Sequence, residues 1–186
     1  MNFNKHSYLE GQHAFLSASK YHWINYDIEK LESAYQKQQA VALGTKKHAL
    51  AKELIELGIK LPKSRKTLNS YVNDAIGYGM TPEQVLFYSV NAFGTADAIS
   101  FDEDKKFLRI HDLKTGESPT SFHQLEIYEA FFCLEYHYQP NEFDAELRIY
   151  QNDEIQAAVP DPDDIFDIMD RIITFDKRIE ALKMEV

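Results

Sequence analysis

The feature that most constrains this chain is a change of hydrophobic period after Thr81-Pro82. Three runs rich in β-branched and aromatic residues follow it: Val85 to Val90, Phe93 to Phe101 and Lys106 to Leu113. Asn91 precedes the second run, and Asp102-Glu103-Asp104 divides the second from the third. Short strands separated by turn formers predict a three-stranded antiparallel meander. Helical signals stand on both sides of it. One helix is expected from near Ser17 or Ser19 to Gln39, where a hydroxyl can cap free backbone N–H groups. A second runs from about Val41 to Leu57 and closes on Gly58, and a short third runs from Thr67 to Tyr78, ended by Gly77 and Gly79.

After the meander the spacing predicts a helix from about Ser121 to His137, then a fourth strand over Ala145 to Tyr150. The last helix has Asp161 as cap, Pro162 in its first turn, and Asp163 and Asp164 near the positive end of its dipole. Its Ile165, Ile168, Ile172, Phe175, Ile179 and Leu182 recur every three or four residues, so one face should be buried. The sum is an α/β fold, a small mixed β-sheet flanked by helices. A single domain over residues 1–186 is expected, helical to about residue 80 and sheet-bearing from about 81.

Composition narrows the function classes. No apolar run approaches the roughly 18 residues of a membrane span, and Met1 to His6 lacks the pattern of a signal peptide. A cytoplasmic protein with no membrane partner is the expectation. The one cysteine, Cys133, excludes an intrachain disulfide and an all-cysteine iron–sulfur site, and its apolar neighbours predict a buried, inert thiol. A net charge of −10 argues against a protein that coats nucleic acid. The distribution is uneven, however. Lys46 to Lys66 holds seven Lys/Arg and two acids, whereas Asp153 to Val186 holds ten acids and four bases. The basic stretch, Lys47 included, is either a solvated helical face or a surface for phosphates.

The chemistry concentrates in Gly94-Thr95-Ala96-Asp97 and Ile110-His111-Asp112-Leu113-Lys114-Thr115-Gly116. Side chains alternate along a strand, so Asp112 and Lys114 share one face while His111 and Leu113 take the other. If the two strands pair, Asp97 reaches the same spot. Two carboxylates with nearby backbone carbonyls make a hard oxygen site of the kind Mg²⁺ or Mn²⁺ prefers. A lysine beside such a site can orient or deprotonate a water and offset phosphate charge. Asp and Lys two apart are more often a surface ion pair. Here the flanking Ile110 and Leu113 suggest a core strand, where charge is costly unless used. His123 lies about 100° from Gln124 on its helix, and His22 and His137 read as packing or surface residues. Arg148 reads as a phosphate contact or a surface strand arginine.

These segments resemble the RecB-type branch of the PD-(D/E)XK nucleases, in which an Asp, a D-x-K and a helical Q-x-x-x-Y occur in that order. Here they are Asp97, Asp112-Leu113-Lys114 and Gln124-Leu125-Glu126-Ile127-Tyr128. Gly44-Thr45-Lys46-Lys47-His48 is similar to the branch's G-x-x-x-H element. The resemblance implies a restriction-endonuclease-like α/β/α core, with one or two Mg²⁺ or Mn²⁺ ions on His48, Asp97, Asp112 and the Leu113 carbonyl. It implies that Lys114 acts on the water, and that Gln124 and Tyr128 brace the site or touch the substrate backbone. Thr115, Lys47 and Arg148 are the further substrate contacts expected.

The function implied is hydrolysis of DNA phosphodiesters, as an exonuclease of bacterial or phage recombination or repair. Relatives with an iron–sulfur cluster carry four cysteines; this chain lacks them, so no such cluster is expected. A homo-oligomer or a recombination protein is the partner expected besides DNA. The alternatives are a silent nuclease-fold module that binds nucleic acid or protein, and an assembly subunit that uses its last helix.

Overall fold

The computed structural model describes residues 7–9 and 14–185. The chain groups into two compact units, Met1–Leu43 and Gly44–Val186. In the first, Ala18–Asn25 forms 3₁₀ turns, and the long helix α1, Ile28–Glu56, begins. This corrects the expected start near Ser17: that hydroxyl pairs with Ser19 and caps nothing. Asp27 does the capping instead, its Oδ1 accepting the Lys30 N–H at 2.7 Å. Trp23 Nε1 donates to the Ser17 carbonyl at 2.9 Å, which ties the 3₁₀ stretch back on itself.

The expected break before Val41 is absent, and α1 runs on to Glu56. Gln38, Gln39, Ala40, Ala42 and Leu43 are good helix formers with no proline among them, so nothing stops the helix there. Gly58 ends it as expected, in the left-handed conformation (φ +65°).

In the second unit, α2 spans Thr67–Gly77, and β1 (Thr81–Ser89), β2 (Ala92–Asp102) and β3 (Phe107–Leu113) form the antiparallel meander. Helix α3, His123–Tyr136, then crosses back to β4, Asp144–Gln151, which pairs parallel to β3. The sheet order is β1-β2-β3-β4-β5, so the mixed sheet flanked by helices is observed. Strand β5, Glu154–Ala158, is exposed throughout most of its length and has no periodic signal. Its cue lies in Asn152-Asp153, both at positive φ (51° and 61°), the two-residue hairpin turn that Asn and Asp tolerate.

Apolar residues pack on both faces of the sheet. Ala51, Ile55, Tyr71, Val72 and Ala75 from α1 and α2 meet Ala98, Leu113 and Tyr150. On the other face Leu125 and Phe132 of α3 and Ile165 of α4 meet Leu108, Ile110, Leu147 and Ile149. Helix α4, Pro162–Met184, is capped by Asp161 as expected. Its apolar stripe is buried only in its first half: Ile165 and Met169 are buried, whereas Phe175, Ile179 and Leu182 are exposed. Its second half is held by polar bonds to the β1–β2 turn, where Asp176 accepts from Ser89 and Asn91. Cys133 is buried, and burial pushes its thiol up to about 12, the inert state expected. Among the described residues, no helix is long and apolar enough to cross a membrane.

Candidate functional site

Asp112 ends a buried strand and is itself 2 % exposed, so its charge must be compensated. Lys114 Nζ lies 3.1 Å from its Oδ1 and 3.0 Å from its Oδ2. Only the first contact has hydrogen-bond geometry, which leaves the buried Oδ2 without a donor. Burial raises the Asp112 carboxyl above its ordinary range, while Lys114 pulls it down. Lys114 also donates to Gln124 Oε1 at 2.8 Å, and Gln124 Nε2 donates to the Tyr128 hydroxyl at 2.8 Å. Gln124 and Tyr128 are one helical turn apart on α3, so one face of that helix serves the strand end.

The β2–β3 register places Ala98 opposite His111, which puts Asp97 opposite Asp112 one step further on. There the backbone ladder stops. Asp97 Oδ2 replaces it by accepting the Leu113 N–H at 2.8 Å. The same oxygen is 3.4 Å from His48 Nδ1 on α1. Burial, then the charge of Asp112, pushes the Asp97 carboxyl up to about 6. The Leu113 N–H is thereby bound to Asp97.

Sequence reasoning missed Glu83. The β1–β2 register pairs Pro82 with Ala98 and Gln84 with Ala96, so Glu83 stands opposite Asp97. Like charges directly across a ladder are destabilising. Glu83 also has a φ of +49°, a conformation that costs a non-glycine residue roughly 1 to 3 kcal/mol. Ligand atoms of His48, Glu83 and Asp97 lie within 4.8 Å of one another. Among the described residues this group holds Glu83 where sequence reasoning expects Asp112. Thr81-Pro82 reads as a break, and a lone Glu beyond it carries no motif. Tyr71 was missed too: burial raises its hydroxyl far above the ordinary tyrosine range, and nearby Asp97, Glu83 and Asp112 add to the effect.

Two glycines let these pieces meet. A Cβ on Gly94 would lie 2.8 Å from Tyr128 Cε1, and one on Gly44 would lie 2.6 Å from Thr115 Oγ1. The four sequence elements therefore close a ring. His48 meets Asp97, Leu113 meets Asp97, Lys114 meets Gln124, Tyr128 covers Gly94, and Thr115 covers Gly44. Lys47 joins Lys114 and Thr115 in lining a cleft of about 340 Å³.

Arg148 lies elsewhere. It pairs across β3–β4 with His111, and its guanidinium meets Asp74 (3.4 Å), Glu146 (3.0 Å) and the Tyr78 hydroxyl (3.3 Å). Of the other histidines, His111 is fully buried and hydrogen-bonds Tyr150, away from Asp112 as the strand alternation predicts. His123 is exposed and pairs with Glu126, His22 stacks on Tyr21, and His137 is the left-handed residue that ends α3.

The donor set fits a hard divalent cation. His48, Glu83 and Asp97 bring ligand atoms within 4.8 Å of one another, and next to Asp97 the buried Asp112 Oδ2 lacks a donor. Such cations take carboxylate oxygens at short range and a histidine nitrogen beside them. No family model, curated protein or solved structure matches the chain.

Proposed function

We propose that this chain is a Mg²⁺- or Mn²⁺-dependent nuclease of the RecB-type PD-(D/E)XK kind, hydrolysing phosphodiester bonds in DNA. The observation that carries the proposal is the ring of contacts. Four motifs spread over Gly44 to Tyr128 meet at one strand end, and each joins the next through a residue that the resemblance singled out.

His48, Glu83, Asp97 and Asp112, with the Leu113 carbonyl, would hold the metal. A divalent ion there supplies Lewis acidity toward the phosphate and the attacking water. The chain's own groups do the rest. Lys114, fixed between Asp112 and Gln124, orients the water and offsets charge on the phosphate oxygens. Gln124 holds the Lys114 ammonium through its carbonyl while its amide is spent on Tyr128, so the lysine has one preferred direction. Asp97 fixes the end of β3 through the Leu113 N–H.

The test is incubation with end-labelled linear and circular DNA, with and without Mn²⁺. Cleavage by the natural chain is expected, with loss of about 10³-fold or more in Asp112→Ala. Equal digestion by folded Asp112→Ala would reject the site. No digestion by the natural chain under any divalent metal would reject the activity and leave a silent nuclease-fold module.

A further inference from the structure

The loop between α1 and α2 carries Lys60, Lys63, Arg65 and Lys66 and no acid. All four are exposed, and none makes an ion pair among the described residues. In a chain of net charge −10, acids to neutralise them are abundant. The loop backbone, by contrast, is pinned by α2. Asn73 accepts the Leu61 N–H at 2.8 Å and donates to the Leu61 carbonyl at 2.9 Å. Asn69 donates to the Pro62 carbonyl at 2.9 Å, and Ser70 to the Ser64 carbonyl at 3.2 Å. Three polar side chains of one helix thus hold the loop in shape, while Lys60, Lys63 and Arg65 make no ion pair among the described residues and Lys66 has only the charge of Asp153 near it.

The cleft beside the site is equally well built. Lys47 and Lys66 line it with Lys114 and Thr115. Its single acid, Asp153, caps α2, accepting the Thr67 N–H at 2.8 Å and the Thr67 hydroxyl at 3.1 Å; these bonds, then the charge of Lys66, hold its carboxyl below the ordinary range. Gln151 donates to the Gly116 and Ser118 carbonyls and so holds the wall that follows Lys114. Lys60 and Lys63 line a second cleft of about 400 Å³, whose one acid, Asp74, is paired with Arg148.

We infer that Lys47, Lys66, Lys63 and Lys60 form a phosphate track that leads a DNA strand to Lys114. The inference rests on the nuclease reading for its direction. It adds the surface that gathers the substrate. Unpaired lysines on a pre-shaped loop attract a polyanion without first having to break ion pairs. The acids of the chain, concentrated from Asp153 onward, keep DNA off the remaining surface.

The test measures binding rather than cutting. The full-length Asp112→Ala chain in chelator is titrated with fluorescent single-stranded and duplex DNA at about 50 to 300 mM salt. Lys63→Glu/Lys66→Glu on that background should weaken binding about tenfold or more and flatten the salt slope by about 1 to 2. The matched pair Arg171→Glu/Lys177→Glu on α4 should change it less than about twofold. Equal loss in both pairs would reduce the effect to net charge and overturn the track, as would no loss in the loop pair. Unchanged thermal melting of each variant shows that the fold is intact. Binding through the loop by a chain that never cuts would reject the nuclease reading alone. Cutting that survives the loop substitutions at full affinity would reject the track alone.

Discussion

The two faces of β3 both bury charge, and they treat it in opposite ways. On the α2 side, Arg109 and Arg148 meet Glu146 and Asp74, Tyr78 lies under both guanidiniums, and Tyr150 bridges Asp74 to His111. Two cations face two acids, and the sum is neutral. At the strand end that faces α3, Lys114 pairs with Asp112, while neighbouring Asp97 stands with Glu83 and His48, so carboxylates are in surplus. Burial of charge therefore does not mark a site by itself, because opposite charges in balance stabilise one another even where Arg109 Nε and Glu146 Oε1 lack a hydrogen-bond partner. A surplus of one sign, with backbone strain at Glu83 to maintain it, does.

Crossed substitutions break this comparison most directly. Lys114→Ala should cost about 10³-fold or more in cleavage, with a melting temperature near that of the natural chain. Arg148→Ala should cost roughly 2 to 4 kcal/mol in denaturant unfolding, because it removes the ion-pair partner of Asp74 and leaves Glu146 only Arg109, while specific activity per folded molecule stays. An Arg148→Ala protein that folds as well as the natural one and fails to cut would restore the substrate contact expected from sequence.

A metal sharpens the contrast next. Ligand present at about 100 times its Kd adds about 2.7 kcal/mol, a rise of about 5 to 10 °C for a chain of this size. Mn²⁺ should raise the melting temperature of the natural chain on that scale. Glu83→Gln and Asp97→Asn should each lose most of the rise, whereas Asp74→Asn should keep it. An undiminished rise in Glu83→Gln would exclude Glu83 as a ligand.

The faces should also answer pH with opposite sign. Burial, followed by Arg148 and Arg109, lowers His111 to about 3. The unfolded chain protonates it first, so its contribution is complete above about 6.5 and is lost as pH falls toward 3. Glu129, on α3, is 2 % exposed, and burial then Glu126 push it up to about 8. Its contribution is complete below about 4.5 and is lost as pH rises through 8. Glu129→Gln should therefore gain stability over the natural chain from pH 5 to pH 8, by an amount on the order of a few kcal/mol at the upper end. A difference that does not grow with pH would show that Glu129 is ionised in the fold.

What was legible in the sequence is what chemistry or sterics tie to particular residue types. Asp112 and Lys114 share a face because strands alternate, and Gln124 and Tyr128 because helices turn; both follow from spacing. Helix ends were legible where Gly58, Gly79 and Asp161 have specific backbone duties. Glu83 was not, since its role depends on strand register and a positive φ at an edge strand, neither of which leaves a local pattern. The continuity of α1 was hidden by expecting a break that no residue enforces. The exposed second half of α4 was hidden because periodicity reports a stripe but not how far its partner extends.

The smallest expected effects concern the two glycines, and they test whether the site is a preformed assembly. A Cβ on Gly94 would press on the half-buried Tyr128 ring, and the buried Phe131 lies 3.6 Å from the same point. At 2.8 Å the ring or the strand must shift, so Gly94→Ala should cost roughly 1 to 3 kcal/mol. Because Tyr128 holds Gln124 and Gln124 holds Lys114, cleavage should fall as well. Gly44→Ala meets only the Thr115 hydroxyl, which can turn about one bond, so its cost should be smaller. Adding Tyr128→Leu to Gly94→Ala removes the crowding ring. Unfolding free energy should then recover while cleavage does not, because the hydroxyl that fixes Gln124 has gone with it. Recovery of both would mean that Tyr128 only fills space, and that the chain from Tyr128 to Lys114 ends at Gln124.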